Sequence, residues 1–350
     1  MGESEMNKYP DKIESEEQLE ELLSRPDART IEMFSRLDGD LIFLGVSGKI
    51  GQSLAYMAKR ACDQAGIKKR IIGVAKFDNK ETQQKIEKYG IKTIRGDMLD
   101  TEFTKSLPHV RNVIFLAGMK FGSTGNLAMT WAVNSYLPAI IADHFRKSRI
   151  AAFSTGCVYP LVPVESGGSV ETDLPEAIGE YAQSCLGRER MFEYGSIRNK
   201  TETVLIRLNY AVEMRYGVLV DIALKIKNNQ PVDLSMGYFN VIWQGDLNNI
   251  VLLSLEQVSS PANILNITGP EILTVREVAE KFGKLFKIKP VFINKEANTA
   301  LLNNSAKAFK IFGKPAMPID QVILWISWWL KEEKDLLGKP THFEVRDGKY

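Results

Sequence analysis

Two hydrophobic periods alternate along this chain. Short strand-like segments stand at Leu41–Leu44, Arg70–Lys76, Thr93–Asp97, Asn112–Gly118 and Arg149–Thr155, too short for buried helices and bounded by polar or glycine residues. Between them the apolar residues fall at helical spacing, as in the run after Gly51 to about Gly66 and the run from Met129 to Ser148, which carries Asn134 inside it. A further helix is predicted from Gly179. Strand and helix alternate in this way five times, which predicts an α/β chain whose parallel sheet is covered by helices on both faces. Ahead of the first strand, residues 1 to 38 are strongly charged, and Ser15-Glu-Glu-Gln18 followed by Leu19, Leu22 and Leu23 predicts a capped helix laid on the main body.

The first strand runs directly into Gly45-Val-Ser47-Gly48-Lys49-Ile50-Gly51, glycines three apart that open a helix. A loop could show that spacing by chance, but strand, turn and helix together are the phosphate-binding start of a dinucleotide-binding unit. Glycine is needed there because a side chain would block either the turn or the approach of a pyrophosphate to backbone N–H groups. Gly45, Ser47, Gly48, Lys49, Ile50 and Gly51 are therefore candidate cofactor-binding residues. At the end of the second strand a carboxylate would suit NAD and a cation NADP. Lys76 leans the choice towards NADP, and Asp78 keeps NAD open. Asp97, followed by Met98, could accept from an adenine amino group, and Ala117-Gly118 would leave room for a dinucleotide. On local evidence Asp97 reads equally as a helix cap and Gly118 as a turn. A polar Asn134 within an apolar helical run is either solvent-facing or bound to something specific.

Together these residues resemble the extended short-chain dehydrogenase/reductases, the group that contains NAD(P)-dependent sugar epimerases and dehydratases. The glycine triplet, Gly-Asp97, Leu-Ala117-Gly118, Asn134 and Ser154-Thr155-Gly-Cys-Val-Tyr159 stand in that family's order and spacing. Further on, Ile206-Arg207-Leu-Asn209 is similar to its strand into the substrate domain, Phe239–Asp246 to its returning strand, and Leu265–Gly269 to its C-terminal lobe. The resemblance covers about residues 39 to 335. It implies a Rossmann-type doubly wound parallel sheet with a smaller C-terminal substrate domain. Residues 1–38 would be a helical extension, 39–208 with about 239–260 the NAD(P)-binding domain, and 209–238 with 261–350 the substrate domain. It also implies that Thr155 hydrogen-bonds the reacting oxygen, that Tyr181 is the general acid or base and touches the cofactor, and that Asn209 and Arg215 face the substrate. The helices carrying Asn134 and Tyr181 would pair in a homodimer.

Two departures from the family pattern matter. Its YxxxK motif reads here as Tyr181-Ala-Gln-Ser-Cys185, so the lysine that binds the cofactor ribose and lowers the tyrosine pKa from about 10 is a neutral cysteine. Lys120 and Arg188 are the cations that could stand in, Lys120 also as a substrate contact. The Asp-Glu pair that dehydratases carry after the catalytic threonine reads Gly156-Cys157, which argues against sugar dehydration.

Composition narrows the classes that remain. With 44% hydrophobic and 25% charged residues, the chain can bury a large core. A net charge of +2 and the lack of a basic tract with interleaved aromatics exclude nucleic acid as the expected partner. Cys62, Cys157 and Cys185 form no CxxC pair, and His109, His144 and His342 lack metal-ligand spacing, so we expect neither a disulfide framework nor a metal site. The start is polar and acidic and no run of about 18 apolar residues occurs, so a cytoplasmic protein without membrane span is expected. Arginine is scarce after Tyr210, with Arg215, Arg276 and Arg346 only, which keeps a free sugar or sugar acid beside nucleotide sugars as substrate. Trp325, Trp328 and Trp329 in an amphipathic helix read as core or subunit interface. The sequence therefore predicts an NAD(P)-dependent oxidoreductase or epimerase acting on a carbohydrate-like hydroxyl or ketone; the alternative is a catalytically weak NAD(P)-binding regulatory or structural protein.

Overall fold

The computed structural model describes residues 9–120 and 125–348. Seven strands, β1 (Leu41–Leu44), β2 (Ile71–Ala75), β3 (Lys92–Arg95), β4 (Asn112–Phe115), β5 (Arg149–Thr155), β6 (Thr203–Leu208) and β7 (Asn263–Ile267), form one sheet in the order β7-β6-β5-β4-β1-β2-β3. Every neighbouring pair is parallel. The α/β doubly wound fold predicted from the alternation is thus the fold observed. The reason is visible in β1: all four of its side chains are 0% exposed. Leu41 and Phe43 enter the core on one face of the sheet and Ile42 and Leu44 the core on the other, as the two-residue period of a strand requires.

Helices α1 (Glu16–Leu23), α2 (Ala28–Arg36), α3 (Gly51–Gln64), α4 (Lys80–Lys88) and α5 (Thr101–Ser106) belong to the first half. They are followed by α6 (Leu127–Trp131), α7 (Leu137–His144) and α8 (Gly179–Asn199). In the second half come α9 (Val218–Lys227), α10 (Gln244–Leu253), α11 (Val275–Phe286), α12 (Ala306–Phe312) and α13 (Ile319–Lys331). Residues of α2, α3, α10 and α12 cover one face of the sheet, and residues of α7 and α8 the other. A separate core joins α1, α9, α11 and α13. Trp325 and Trp329 are buried there and donate their indole N–H groups to the carbonyls of Pro10 (2.8 Å) and Asp335 (3.0 Å), so the tryptophan cluster is core.

Several expected boundaries move. The N-terminal extension holds two helices rather than one. Ser15 Oγ accepts from Gln18 N–H as predicted, but Gln18 reaches back to Glu14 N–H, and Asp27 caps the second helix. The single helix expected from Met129 to Ser148 is interrupted: Ala132–Tyr136 is a π-helical turn between α6 and α7. Pro138 supplies a reason, because its ring crowds the carbonyl four residues back and removes one donor. Residues 261–267, expected in the substrate domain, include β7 at the edge of the central sheet. Ile242–Trp243, expected as a returning strand, forms only a two-residue pair with Ala211–Val212.

On the helices expected to pair in a homodimer, Leu127, Met129, Trp131 and Tyr136 are exposed before α7, and Tyr194 and Ile197 on α8. Among the described residues no helix is long and apolar enough to cross a membrane, and no three side chains are grouped to hold a metal ion.

Candidate active site

Strand order reverses between β1 and β4, and the crevice outside the carboxyl ends of these strands is where an open α/β sheet binds ligands. The glycine turn lies there. Gly45 has φ of +95°, and a Cβ on it would stand 2.7 Å from Ala117 N; a Cβ on Gly51 would stand 2.6 Å from Val46 O. Both glycines are dictated by the protein's own packing. Gly48 is different: its Cβ would meet only Gly45 O at 3.4 Å, and its φ is not positive. Packing does not explain it, whereas close approach by a ligand does. The helix that follows, α3, has no side-chain cap at its N-terminus, so its first N–H groups face the crevice without one. Gly48→Ala is therefore expected to leave thermal stability nearly unchanged while weakening NAD+ binding by roughly tenfold or more, about 1.4 kcal/mol. Calorimetric titration beside a melting curve separates the two effects, and unchanged affinity would remove Gly48 from the site.

A cleft of about 320 Å³ opens at this turn. Gly45, Gly48, Lys49, Ile50 and Gly51 form one wall; Gly118, Met119 and Lys120 come from the loop after β4, Phe153 from β5, and Tyr181 and Arg188 from α8. Tyr216 and Lys339 reach in from the C-terminal part. The structure thus brings most of the predicted cofactor residues, with Tyr181 and Lys120, into one cavity.

Beneath the cleft lies a polar clamp. Asn134, fully buried in the π-helical turn, accepts from Met119 N–H (2.8 Å) and Arg188 Nη2 (2.7 Å). Its amide donates to Met119 O (2.9 Å) and Ser184 Oγ (3.0 Å). Asn134 therefore fixes the loop after β4 to α8 rather than projecting into the cleft. Arg188 also donates to Phe153 O at 2.9 Å, and its Nε is buried with no hydrogen-bond partner among the described residues. Gly118 is required for this arrangement, since a Cβ there would stand 2.7 Å from Arg188 Nη2.

Tyr181 and Cys185 face each other one turn apart on α8. Burial pushes the Tyr181 phenol well above its ordinary value; the Cys185 and Cys157 thiols act in the same direction, and Arg188 opposes them only in part. Burial likewise raises the Cys185 thiol, so it is not an activated nucleophile. Lys120 places its amine 5.8 Å from the Tyr181 ring centroid and donates to Thr341 O at 3.1 Å.

The remaining predicted residues are dispersed. Thr155 ends β5, and its hydroxyl accepts from Cys157 N–H at 3.2 Å. Ser47 is exposed on the turn and Met98 is buried in the core below β3. Asp97 pairs with Lys76 at 2.9 Å and caps Leu99 N–H at 3.0 Å, which joins the two residues expected to read the adenosine end. Asn209 is buried and donates to Asn240 Oδ1 at 2.8 Å. Arg215 is held by Glu213 and Glu20, each at 3.1 Å, and does not line the cleft. Sequence reasoning missed Phe153, Tyr216 and Lys339. It also missed a buried network in which Ser154 Oγ donates to Glu189 (2.6 Å), Glu189 pairs with Arg207 (2.7 Å), and Arg207 donates to Tyr159 OH (2.6 Å). A glutamate inside α8 carries no local signal of burial, and Lys339 lies far beyond any motif.

No protein-family model and no curated protein matches the sequence. Solved structures do match the fold. The UDP-glucose 4-epimerase of Thermotoga maritima, with UDP-glucose, superposes with a TM-score of 0.68 at 15% identity, covering 84% of this chain and 99% of that one. UDP-glucuronic acid 4-epimerase of Bacillus cereus, in complex with UDP-glucuronic acid and NAD, gives 0.68 at 14% identity over 84% and 99%. DesIV, the dTDP-glucose 4,6-dehydratase of Streptomyces venezuelae with NAD bound, gives 0.71 at 14% over 84% and 97%. The chain therefore has the fold of NAD-bound nucleotide-sugar epimerases and dehydratases, the fold that its resemblance to the extended short-chain dehydrogenase/reductases implies.

Proposed function

We propose that the protein binds NAD(H) and catalyses reversible hydride transfer at a hydroxyl or ketone carbon of a carbohydrate-like substrate, as an oxidoreductase or epimerase. One observation carries the reading: the Gly45–Gly51 turn, Tyr181 and Arg188 line a single cleft at the switch point of the sheet. Gly48, unexplained by packing, and the uncapped start of α3 fit a pyrophosphate. Bound cofactor would supply or accept the hydride. Tyr181 moves the proton of the reacting oxygen, Thr155 orients that oxygen, and Arg188 with Asn134 fixes α8 against the cleft. Because Lys76 is already neutralised by Asp97, NADP would have to compete with a carboxylate for its cation, and NAD is the cofactor we favour. Elimination of water is disfavoured, since Gly156 and Cys157 replace the acidic pair and the space beside Gly156 is filled by the Asn303 side chain.

Spectroscopy and mass analysis of whatever the denatured protein releases tests this first. Stoichiometric NAD(H) favours an epimerase cycle that regenerates its cofactor, an empty protein that binds added NADH favours a reductase, and failure to bind any nicotinamide dinucleotide defeats the reading.

The raised Tyr181 phenol favours a second reading, a catalytically weak binding protein, because a protonated phenol is a poor base at neutral pH. As an acid it would still serve reduction. Reductive turnover is then expected to stay flat through neutral pH and fall only when Tyr181 loses its proton, while oxidative turnover rises with pH. Cys185→Lys places a cation one turn from Tyr181 and is expected to move the oxidative limb to lower pH; if it creates activity that the parent lacks, the parent is the binding protein.

A further inference from the structure

The cleft is unusually cationic for the chemistry so far assigned to it. Its lining holds Lys49, Lys120, Arg188 and Lys339 and no Asp or Glu. The backbone of Lys49 belongs to the glycine turn, but its amine lies 2.9 Å from the centroid of the Tyr216 ring, across the cleft, and meets no carboxylate among the described residues. Lys120 reaches the same space from the loop after β4, beside Tyr181. Lys339 comes from the C-terminal segment, which is tied down by Thr341 N–H and Oγ1 donating to Asp221 (2.7 and 2.6 Å) and by Arg346 donating to Thr299 O (2.8 Å). The nearest acids are otherwise engaged: Asp221 in those bonds and Glu213 with Arg215.

Gathering like charges in a partly buried space is unfavourable without an anion to receive. Burial lowers the pKa of both Lys49 and Lys120, and for Lys49 the other two amines add repulsion. A dinucleotide pyrophosphate is served by the turn and the start of α3, whereas these amines converge from the Tyr216 and Tyr181 side, where the substrate must lie. We infer that the substrate carries its own anionic group, a carboxylate or phosphate, which Lys49, Lys120 and Lys339 receive beside Tyr181. This rests on the proposed dinucleotide reading and makes the substrate an acidic sugar rather than a neutral one.

Calorimetry on the NAD+-saturated protein tests it with UDP-glucuronate, UDP-glucose and inorganic phosphate as probes. The acidic sugar is expected to bind roughly tenfold or more tighter than the neutral one, and the difference to collapse in both Lys120→Met and Lys339→Met. NAD+ affinity of both variants is expected within about twofold of the parent. Lys339→Met sits on a surface segment and keeps the test open if Lys120→Met folds poorly. Equal affinity for the two sugars, a difference that survives both variants, or failure of all three probes to bind overturns the anionic subsite. A large loss of NAD+ affinity in the variants overturns it too, because the lysines would then serve the cofactor. Failure of the parent to bind any nicotinamide dinucleotide is the separate result that defeats the underlying reading.

Discussion

Tyr181→Phe is expected to lower turnover by about 10²–10⁴-fold with little change in NAD+ affinity. The phenol lines the cleft beside the glycine turn, and no other side chain of α8 presents a titratable hydroxyl there. Removing only the hydroxyl keeps the ring that packs against Val158, Tyr159 and Cys185, so the local core should survive. The loss then measures proton transfer rather than folding. Single-turnover rates at several pH values beside NAD+ titration check it. Turnover within about twofold of the parent would show that another group, or none, moves the proton.

The second large effect concerns stability. Arg207→Met is expected to destabilise the protein by about 3–5 kcal/mol, because it leaves the Glu189 carboxylate buried without its partner. Glu189 is 0% and Arg207 1% exposed, and their charges meet at 2.7 Å. The network around them is closed by Ser154 Oγ on Glu189, Arg207 on Tyr159 OH, and Tyr159 OH donating to Asn266 Oδ1 at 3.0 Å. Replacing both charges, as in Glu189→Leu with Arg207→Met, should cost less than the sum of the single changes, since no uncompensated charge remains. Denaturant unfolding of the two single variants and the double variant provides the cycle. A loss under about 1 kcal/mol for Arg207→Met would mean that water reaches the pair. Because Ser154 adjoins Thr155 and Glu189 shares α8 with Tyr181, this network also holds the two expected chemical groups in register.

The sheet was legible because its strands are local facts. Leu41–Leu44 is apolar throughout since both faces of a central parallel strand are buried, and a continuous apolar run is the direct trace of that burial. The glycine turn was legible for the same kind of reason: Gly45 and Gly51 are forced by contacts made by neighbouring backbone, and the residues that force the turn sit within or next to it. The π-helical turn was not. Pro138 announced a disturbance, but the compensating bonds of Asn134 to Met119 and Arg188 join segments far apart in sequence.

The sequence by itself therefore determined the doubly wound sheet, the nucleotide turn and the substitution of Cys185 for the expected lysine, all set by residue type at short spacing. Only the tertiary structure decided what surrounds Tyr181. Lys49, Lys120, Arg188 and Lys339 share one cleft although they come from four separate segments, Arg215 is drawn away to Glu213 and Glu20, and Asp97 takes Lys76. Charge interactions act through space and depend on burial, so a lysine reads the same in sequence whether it meets a carboxylate, a ring or an open cavity.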